Sequence, residues 1–416
     1  MSFSQTVQSF IADVRNRPLY LWGAAQTGIG IVHALSRLGI TPAGFIDKRK
    51  EKMKGQVYGL PVFLPSEVLP RFSKKNRFFI VDTTTLHADQ IAKECRAAGL
   101  VHTEDFISYE QICPYDFQVI ISSVCNLRCI SCPVGNRPQG MHSGLMSANK
   151  YEKVLDKILA ESPLISMIQL FNWGEPMLNV DLAKIVEITN SRSVLCSLSS
   201  NMNRVQGLEA VITAKPAFFR VSMSGNDKTY SVSHTGGSWP KLLDNLNVLS
   251  RLRKTTNPEM VVEVAYHVYA NTTQADIDNT KKLCESLGFV FRPHLAALLP
   301  LDNVLDYKNK KPVSPEANAT IAMVRLPMDE ALVRAGAQKD RACSFERTLS
   351  IESDCSVKQC GLWTRPEENE VAHDFLAMPL DKIMKKRREH PLCVLCKAHG
   401  LHRFCSIYTD DASNLA

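Results

Sequence analysis

The chain has 416 residues, 45% of them hydrophobic, and a formal net charge of +7 spread along its length. That much apolar material supports about two to four packed domains. The charge is too dilute to mark a nucleic-acid surface, and no RNA- or DNA-binding motif is present. The densest basic runs, Lys48–Lys54 and Lys385–Arg388, read as solvated faces, with an anionic partner as the alternative. No apolar run reaches the length of a membrane span, and residues 1–15 lack the apolar core of a secretory signal. Thirteen cysteines, nine of them in two groups, point to metal binding in a reducing, cytoplasmic setting rather than to disulfides. Cys95, Cys113, Cys196 and Cys284 stand apart and read as ordinary buried thiols.

In chain order, a first strand is predicted over Pro18–Leu21. It runs into a loop and helix start carrying Gly23, Gly28 and Gly30. Helical spacing of Ile31, Val32, Ala34, Leu35 and Leu38 follows, up to Gly39; a second strand, Ala43–Ile46, closes at Asp47. Glycines let backbone approach a phosphate at a helix N-terminus, and an acid after the second strand suits ribose hydroxyls. The glycine order is G-x4-G-x-G, which departs from the G-x-G-x-x-G fingerprint. A strand at Phe78–Val81 and a helix at His87–Ala98 complete an α/β unit over residues 1–112. Gly44-Phe45-Ile46-Asp47, followed by Gly59-Leu60-Pro61-Val62, resembles the small Rossmann-like domains of enzymes that tailor nucleotide-linked sugars. That resemblance implies a nucleotide or nucleotide-sugar site at Gly23, Gly28, Gly30 and Asp47. A domain of the same fold used only for docking is the alternative.

Residues 113–300 alternate strand and helix. The strands are predicted at Phe117–Ile121, Leu164–Phe171, Val194–Leu198, Phe218–Met223, Met260–Tyr269 and Phe289–Pro293. The helices fall at Ser147–Glu161, Leu182–Asn190, Leu208–Thr213, Lys241–Arg253 and Asp276–Leu287, the first with Ser147 as its N-cap. Six such units in line imply a parallel sheet with right-handed crossovers, whose ligands sit at the C-terminal strand ends. Polar motifs fall at those ends. After the first strand come Cys125, Cys129 and Cys132, and a Gly/Pro-rich loop then runs to Gly144. The second strand ends in Trp173-Gly174-Glu175-Pro176, the third in Ser200-Asn201, and the fourth holds Ser222 to Gly225. Thiolates favour zinc or iron–sulfur centres, and three from one loop leave a cubane iron open to substrate.

The C-x3-C-x2-C loop and the motifs after it resemble the radical S-adenosylmethionine (SAM) superfamily over residues 117–293. The resemblance implies a partial (β/α)6 TIM barrel and a [4Fe-4S] cluster on Cys125, Cys129 and Cys132 whose open iron binds SAM. It assigns SAM contacts to Gly174 and Glu175 in the family's GGEP turn, and to Asn201 and Ser222. It also assigns one to His234, which stands where relatives carry an arginine that pairs with the SAM carboxylate. Ser131 replaces a frequent aromatic, Trp173 replaces the first glycine of the turn, and Ser224 stands where relatives carry Asp.

Residues 301–340 read as a bridge with one helix, Met328–Ala335. Residues 341–416 carry Cys343, a hairpin-like stretch from Thr348 to Cys360, then Cys393, Cys396 and Cys405. This tail resembles the SPASM/twitch extensions of radical SAM enzymes. That implies a second, auxiliary [4Fe-4S] cluster on Cys343, Cys360, Cys393 and Cys396, with Cys405 as a substitute or spare. Cys355 falls on the turn position, where relatives have glycine, and is not counted as a ligand. Two paired thiol elements also make a tetrahedral zinc site, which is the alternative.

The leading expectation is an enzyme that cleaves SAM reductively and abstracts hydrogen from a small molecule. A carbohydrate or nucleotide sugar is favoured, leading to oxidation, epimerisation or rearrangement. The family implies a flavodoxin or ferredoxin as electron donor. A maturase acting on a ribosomal peptide is the second reading, and a non-catalytic iron–sulfur or zinc protein for redox sensing or scaffolding is the third. Tyr266, His267 and His294 lie near late strand ends, where they face either the substrate or the core.

Overall fold

The computed structural model describes residues 3–84, 87–136 and 144–412. Most of the Gly/Pro-rich loop before Gly144 lies outside them. The chain groups into two compact units. The first holds residues 1–116 with two short later segments, 158–168 and 191–195; the second holds the rest.

In the first unit, the strands are β1 (Leu19–Trp22), β2 (Gly44–Ile46), β3 (Gln56–Val57), β4 (Leu60–Phe63), β5 (Phe79–Asp82) and β6 (Phe106–Ser108). Their order in the sheet is β3-β4-β2-β1-β5-β6. All neighbours are parallel except β3 and β4. The central strands β1, β2 and β5 are short apolar runs buried on both faces, as a parallel sheet requires. Leu21, Phe45, Ile46, Ile80 and Val81 are fully buried. The helix after β1 begins at Gln26, earlier than its apolar spacing alone suggests, and ends at Ser36.

Among the described residues, the second unit is built on nine strands. Six come first in the chain: β7 (Asp116–Val119), β8 (Met167–Gln169), β9 (Leu195–Ser200), β10 (Phe218–Ser224), β11 (Val261–Val268) and β12 (Val290–Leu295). They lie side by side in chain order. The pairs β9/β10, β10/β11 and β11/β12 are parallel. Helices Ala148–Glu161, Leu182–Ser191, Leu208–Thr213, Trp239–Thr256 and Gln274–Leu287 separate them. Ser147 accepts a hydrogen bond from the Lys150 amide at the start of the first of these, as an N-cap does.

Beyond β7 the same sheet continues into β13 (Thr348–Ile351), β14 (Val357–Lys358) and β15 (Glu370–Ala372). These pair antiparallel. Cys355 sits in the β13–β14 turn at φ 77, a conformation that favours glycine, and is buried. Residues 301–340 form three helices, Leu301–Lys308, Pro315–Met323 and Met328–Gly336, where one had been expected. Among the described residues no helix is long and apolar enough to cross a membrane.

Along β10 the side chains alternate. Phe219, Val221 and Met223 are fully buried on one face, while Arg220, Ser222 and Ser224 share the other. Register carries that polar face across its neighbour, because Arg220 pairs with Glu263, Ser222 with Ala265 and Ser224 with His267. On β12, Arg292 pairs with Ala265 and His294 with His267.

Candidate functional site

The cysteine loop leaves β7 and is fastened at its base. Ser123 N donates to Gly144 O at 2.9 Å, and Glu175 N donates to Val124 O at 2.8 Å. Farther along, Arg128 N donates to Thr235 O at 2.9 Å, and Cys132 N to Cys129 O at 3.1 Å. Gly174 has φ 109, and a Cβ there would meet Ser122 O at 2.2 Å, so only glycine lets the turn close on the strand end.

Glu175 is the hub. It is 2% exposed. One carboxylate oxygen accepts from Met177 N at 3.0 Å and the other from Asn201 N at 2.8 Å. Burial lifts its carboxyl to about 7 against the pull of those amide donors. The side chain of Asn201 then reaches the cysteine loop, its Nδ2 lying 3.0 Å from Asn126 Oδ1 and 3.7 Å from Cys125 Sγ. Leu127 N also points at Cys125 Sγ, at 3.4 Å. The β7, β8 and β9 ends are thus tied into one network, which brings Cys125, Gly174, Glu175 and Asn201 together.

Burial pushes the Cys125 thiol to about 11, with Glu175 and Cys132 adding to it. Cys129 is raised further, by burial and then by Cys132 and Cys125. These are the signs of thiols close enough to oppose one another's ionisation. Among the described residues, no three His, Cys, Asp or Glu side chains are already arranged to hold a metal ion.

Ser222 lies in mid-strand on the polar face. Ser224, two positions on, is fully buried and bonds Ser233 Oγ at 2.5 Å and His234 Nδ1 at 3.0 Å. The His234 ring stacks on Tyr230, with centroids 4.7 Å apart and planes at 13°. Burial, then the neighbouring His267, drives its pKa down to about 3, so the ring is neutral and brings no positive charge for a carboxylate. Tyr266 belongs to the core: it is fully buried and donates to Gly225 O at 3.1 Å. His267 and His294 share the polar face, with ring centroids 6.4 Å apart.

Trp173 has a use the sequence did not disclose. Its Nε1 donates to Gly361 O at 2.6 Å, and Asn172 Nδ2 donates to the same oxygen at 3.1 Å. The residue following Cys360 is thereby pinned to the residues preceding Gly174. Arg220, Glu263 and Arg292 also escaped the sequence reading. Each is the charged residue on the polar face of an otherwise largely apolar strand, and that alternation is the signal that marks them.

In the tail, Cys343, Cys360, Cys393 and Cys396 line one cavity, together with Gln359, Trp363 and Arg387. Burial raises the Cys343 thiol, with Cys393 adding to it, and pushes Cys360 to about 12, with Cys343 and Cys393 adding. Cys405 does not line that cavity, but its thiol is raised to about 12 by burial and then by Cys360 and Cys343. Arg387 is 4% exposed. Its guanidinium donates to Gln359 O and Thr348 O. Burial lowers its pKa, and Cys360, Cys393 and Cys343 oppose that.

The glycine loop of the first unit is held differently. Gly23 has φ 113. A Cβ on Gly28 would fall 2.1 Å from Gly23 O, and one on Gly30 would fall 2.7 Å from the Ser166 Cβ. Asp47 is 6% exposed. Its Oδ1 accepts from Arg49 N and Nε, and its Oδ2 from Ala24 N and Arg49 Nη2. Burial works against ionisation, but these bonds outweigh it and hold the carboxyl below its usual value. A ribose hydroxyl would have to displace Arg49.

No family model and no curated protein matches the chain. Among solved structures it is similar to Streptococcus suis SuiB bound to S-adenosylmethionine, at 10% identity and TM-score 0.47, covering 77% of this chain and 74% of that one. It is similar to BtrN in complex with AdoMet and 2-DOIA at 13% identity and TM-score 0.38, covering 71% and 91%. TYW1 with a lysine-pyruvate adduct bound matches at 18% identity and TM-score 0.32, covering 48% and 70%.

Proposed function

We propose that this chain is a radical SAM enzyme, with Cys125, Cys129 and Cys132 as ligands of a [4Fe-4S] cluster at the C-terminal ends of a partial (β/α)6 barrel. The observation that carries the reading is the Glu175–Asn201–Cys125 network. It joins three successive strand ends around the three-thiol loop. The donor set suits a cluster: three mutually opposed thiols, with the Leu127 amide and the Asn201 side chain aimed at one sulfur.

When bound, the cluster supplies one electron to the SAM sulfonium, so that a carbon–sulfur bond breaks to give methionine and a 5′-deoxyadenosyl radical. The protein's share is positioning. Backbone groups at Gly174 take the SAM amino group, and the Ser222 hydroxyl takes its ribose or carboxylate. Glu175 holds Asn201 against the cysteine loop. His234, neutral and stacked, shapes the site wall and does not pair with charge.

For the tail we assign one auxiliary [4Fe-4S] cluster to Cys343, Cys360, Cys393 and Cys396, with Cys405 in reserve. Arg387 supports this assignment. A buried guanidinium is costly without a counter-charge, and a cluster held by four thiolates in that cavity would provide it. A cluster with four protein ligands has no open iron, which suits electron transfer or structural support. Residues 1–112, with Asp47 tied to Arg49, are better suited to docking than to nucleotide binding. The substrate is a carbohydrate or nucleotide sugar in the first reading and a peptide in the second. The electron donor is a flavodoxin or ferredoxin.

The test is anaerobic. Reconstituted protein with a strong reductant and SAM should release 5′-deoxyadenosine, and a Cys125/Cys129/Cys132→Ala variant should release none. A fully loaded protein whose cluster spectrum SAM never perturbs would sink the reading in favour of a redox or scaffold protein. Zinc rather than iron in the tail would overturn the auxiliary assignment. Binding of labelled nucleotide sugars against that of candidate leader peptides separates the two substrate readings.

A further inference from the structure

On the polar face of β10–β12, Arg220, Glu263 and Arg292 form a cluster. Glu263 is 4% exposed and sits between the two guanidinium groups. Arg220 Nε lies 3.4 Å from its Oε1, and Arg292 Nε donates to its Oε2 at 2.5 Å. Glu263 Oε1 is buried without a hydrogen-bond partner.

Arg292 gives Nε to the carboxylate in a hydrogen bond, while Arg220 Nε faces it as an ion pair and is buried without a hydrogen-bond partner. Among the described residues, no hydrogen bond engages the Nη atoms of either. The side chains are 38% and 55% exposed, so each arginine is partly open to solvent. Arg220 Cζ also lies over the Phe171 ring, 5.7 Å from its centroid. Two cations and one carboxylate leave a surplus of one positive charge. His267 and His294 border the cluster. Burial, then His294 and Arg220, lower His267 to about 4, and burial, then Arg220, lowers His294. Both are neutral at pH 7 and offer hydrogen bonds without adding charge.

A buried acid needs one cationic partner to offset its burial. The second arginine exceeds that need, and both are held at the end that leaves the fork free. A planar guanidinium with free Nη groups is suited to a carboxylate or phosphate. Because both groups reach one carboxylate, a single oxyanion on the open side can bridge them and restore charge balance.

We propose that Arg220 and Arg292, fixed by Glu263, form a subsite for an oxyanion, a carboxylate or phosphate borne by the substrate. Its role as a substrate subsite rests on the enzyme reading above; its existence as an anion site does not. Ser222 separates Arg220 from Ser224 on the same face. The subsite therefore lies nearer the N-terminal ends of the strands than the cysteine loop at their C-terminal ends.

The experiment is calorimetric titration of the purified full-length protein with inorganic phosphate and, separately, with acetate. It is done at low ionic strength without SAM or reductant. Wild type should bind at least one of the two, and the tighter one identifies the anion. Arg292→Met leaves Glu263 paired with Arg220 and should weaken binding by about tenfold or more, the worth of a charge-assisted hydrogen-bond pair. Arg292→Lys, which keeps the charge but loses the fork, should rescue only part of that. The triple variant Arg220→Met/Glu263→Gln/Arg292→Met removes the cluster without leaving a buried charge, and should abolish binding if Arg292→Met proves unstable. No binding by wild type, or equal binding by the triple variant, overturns the subsite whatever the outcome with SAM. Intact, Arg292-dependent binding in a protein that never cleaves SAM supports the subsite and overturns the enzyme reading alone.

Discussion

At the end of β13, Glu352 carries a carboxyl with 8% of the residue exposed. Burial lifts its pKa from 4.5 to about 7; Lys358 opposes the shift and Asp354 adds to it. An acid with a raised folded-state pKa contributes stability that is present below its unfolded value and lost as pH rises through the folded one. The window is therefore pH 4.5 to 7. Between pH 5 and pH 8, wild type should lose about 2–3 kcal/mol more stability than Glu352→Gln, which mimics the protonated form at every pH. Urea unfolding of both proteins at the two pH values checks this. Parallel slopes would show that Glu352 reaches solvent when ionised. Such a residue is invisible in sequence. An acid two positions before Asp354 in a predicted hairpin reads as a surface charge, and only the pairing of β13 and β14 within the sheet encloses it.

Among the elements, legibility follows the range of the interactions. The helix Leu208–Thr213 falls where its spacing predicts, and the other core helices end within a few residues of expectation. Their apolar faces and caps are local properties. The predicted strand Leu164–Phe171 shortens to Met167–Gln169, because strand extent depends on partners that the segment does not contain. The C-x3-C-x2-C loop and Glu175 were legible because spacing and strand-end position coincide. The Arg220–Glu263–Arg292 cluster was not, since it exists only through the register of three strands. The glycine loop shows a different limit: its close backbone contacts give the glycines a packing role that the pattern, read as phosphate binding, does not disclose. Gly28→Ala places a methyl against Gly23 O, which is backbone and cannot yield, so it should cost about 2–3 kcal/mol. Gly39→Ala meets no atom within 4 Å at φ 69, and should cost only about 1 kcal/mol of backbone strain. Equal urea midpoints for the two variants would return Gly28 to the role of making room for a ligand.

Over the whole second unit, the two thiol groups share one sheet, since β13–β15 extend the row that begins with β12 and includes β7. The link is specific. Gly361, next to Cys360, accepts from Trp173 and Asn172, next to Gly174. Ser353 Oγ meets Ser123 Oγ at 3.1 Å, two residues before Cys125. The departure from glycine at Trp173 is then explained, because the indole spans to the tail and a glycine cannot. A Cys343/Cys360/Cys393/Cys396→Ala variant should therefore do two things. Its iron content after reconstitution should fall by half, since a four-ligand cluster is lost and the three-thiol loop is untouched. Its SAM-dependent spectral change should weaken as well, because the segment around Gly361 loses the anchor that holds Trp173. Iron analysis and cluster spectroscopy with and without SAM read the two effects separately. Iron halved with an undiminished SAM response would show that the hydrogen bonds to Gly361 persist without the tail cluster, and would confine that cluster to electron transfer. Iron unchanged would remove the tail cysteines from iron binding altogether.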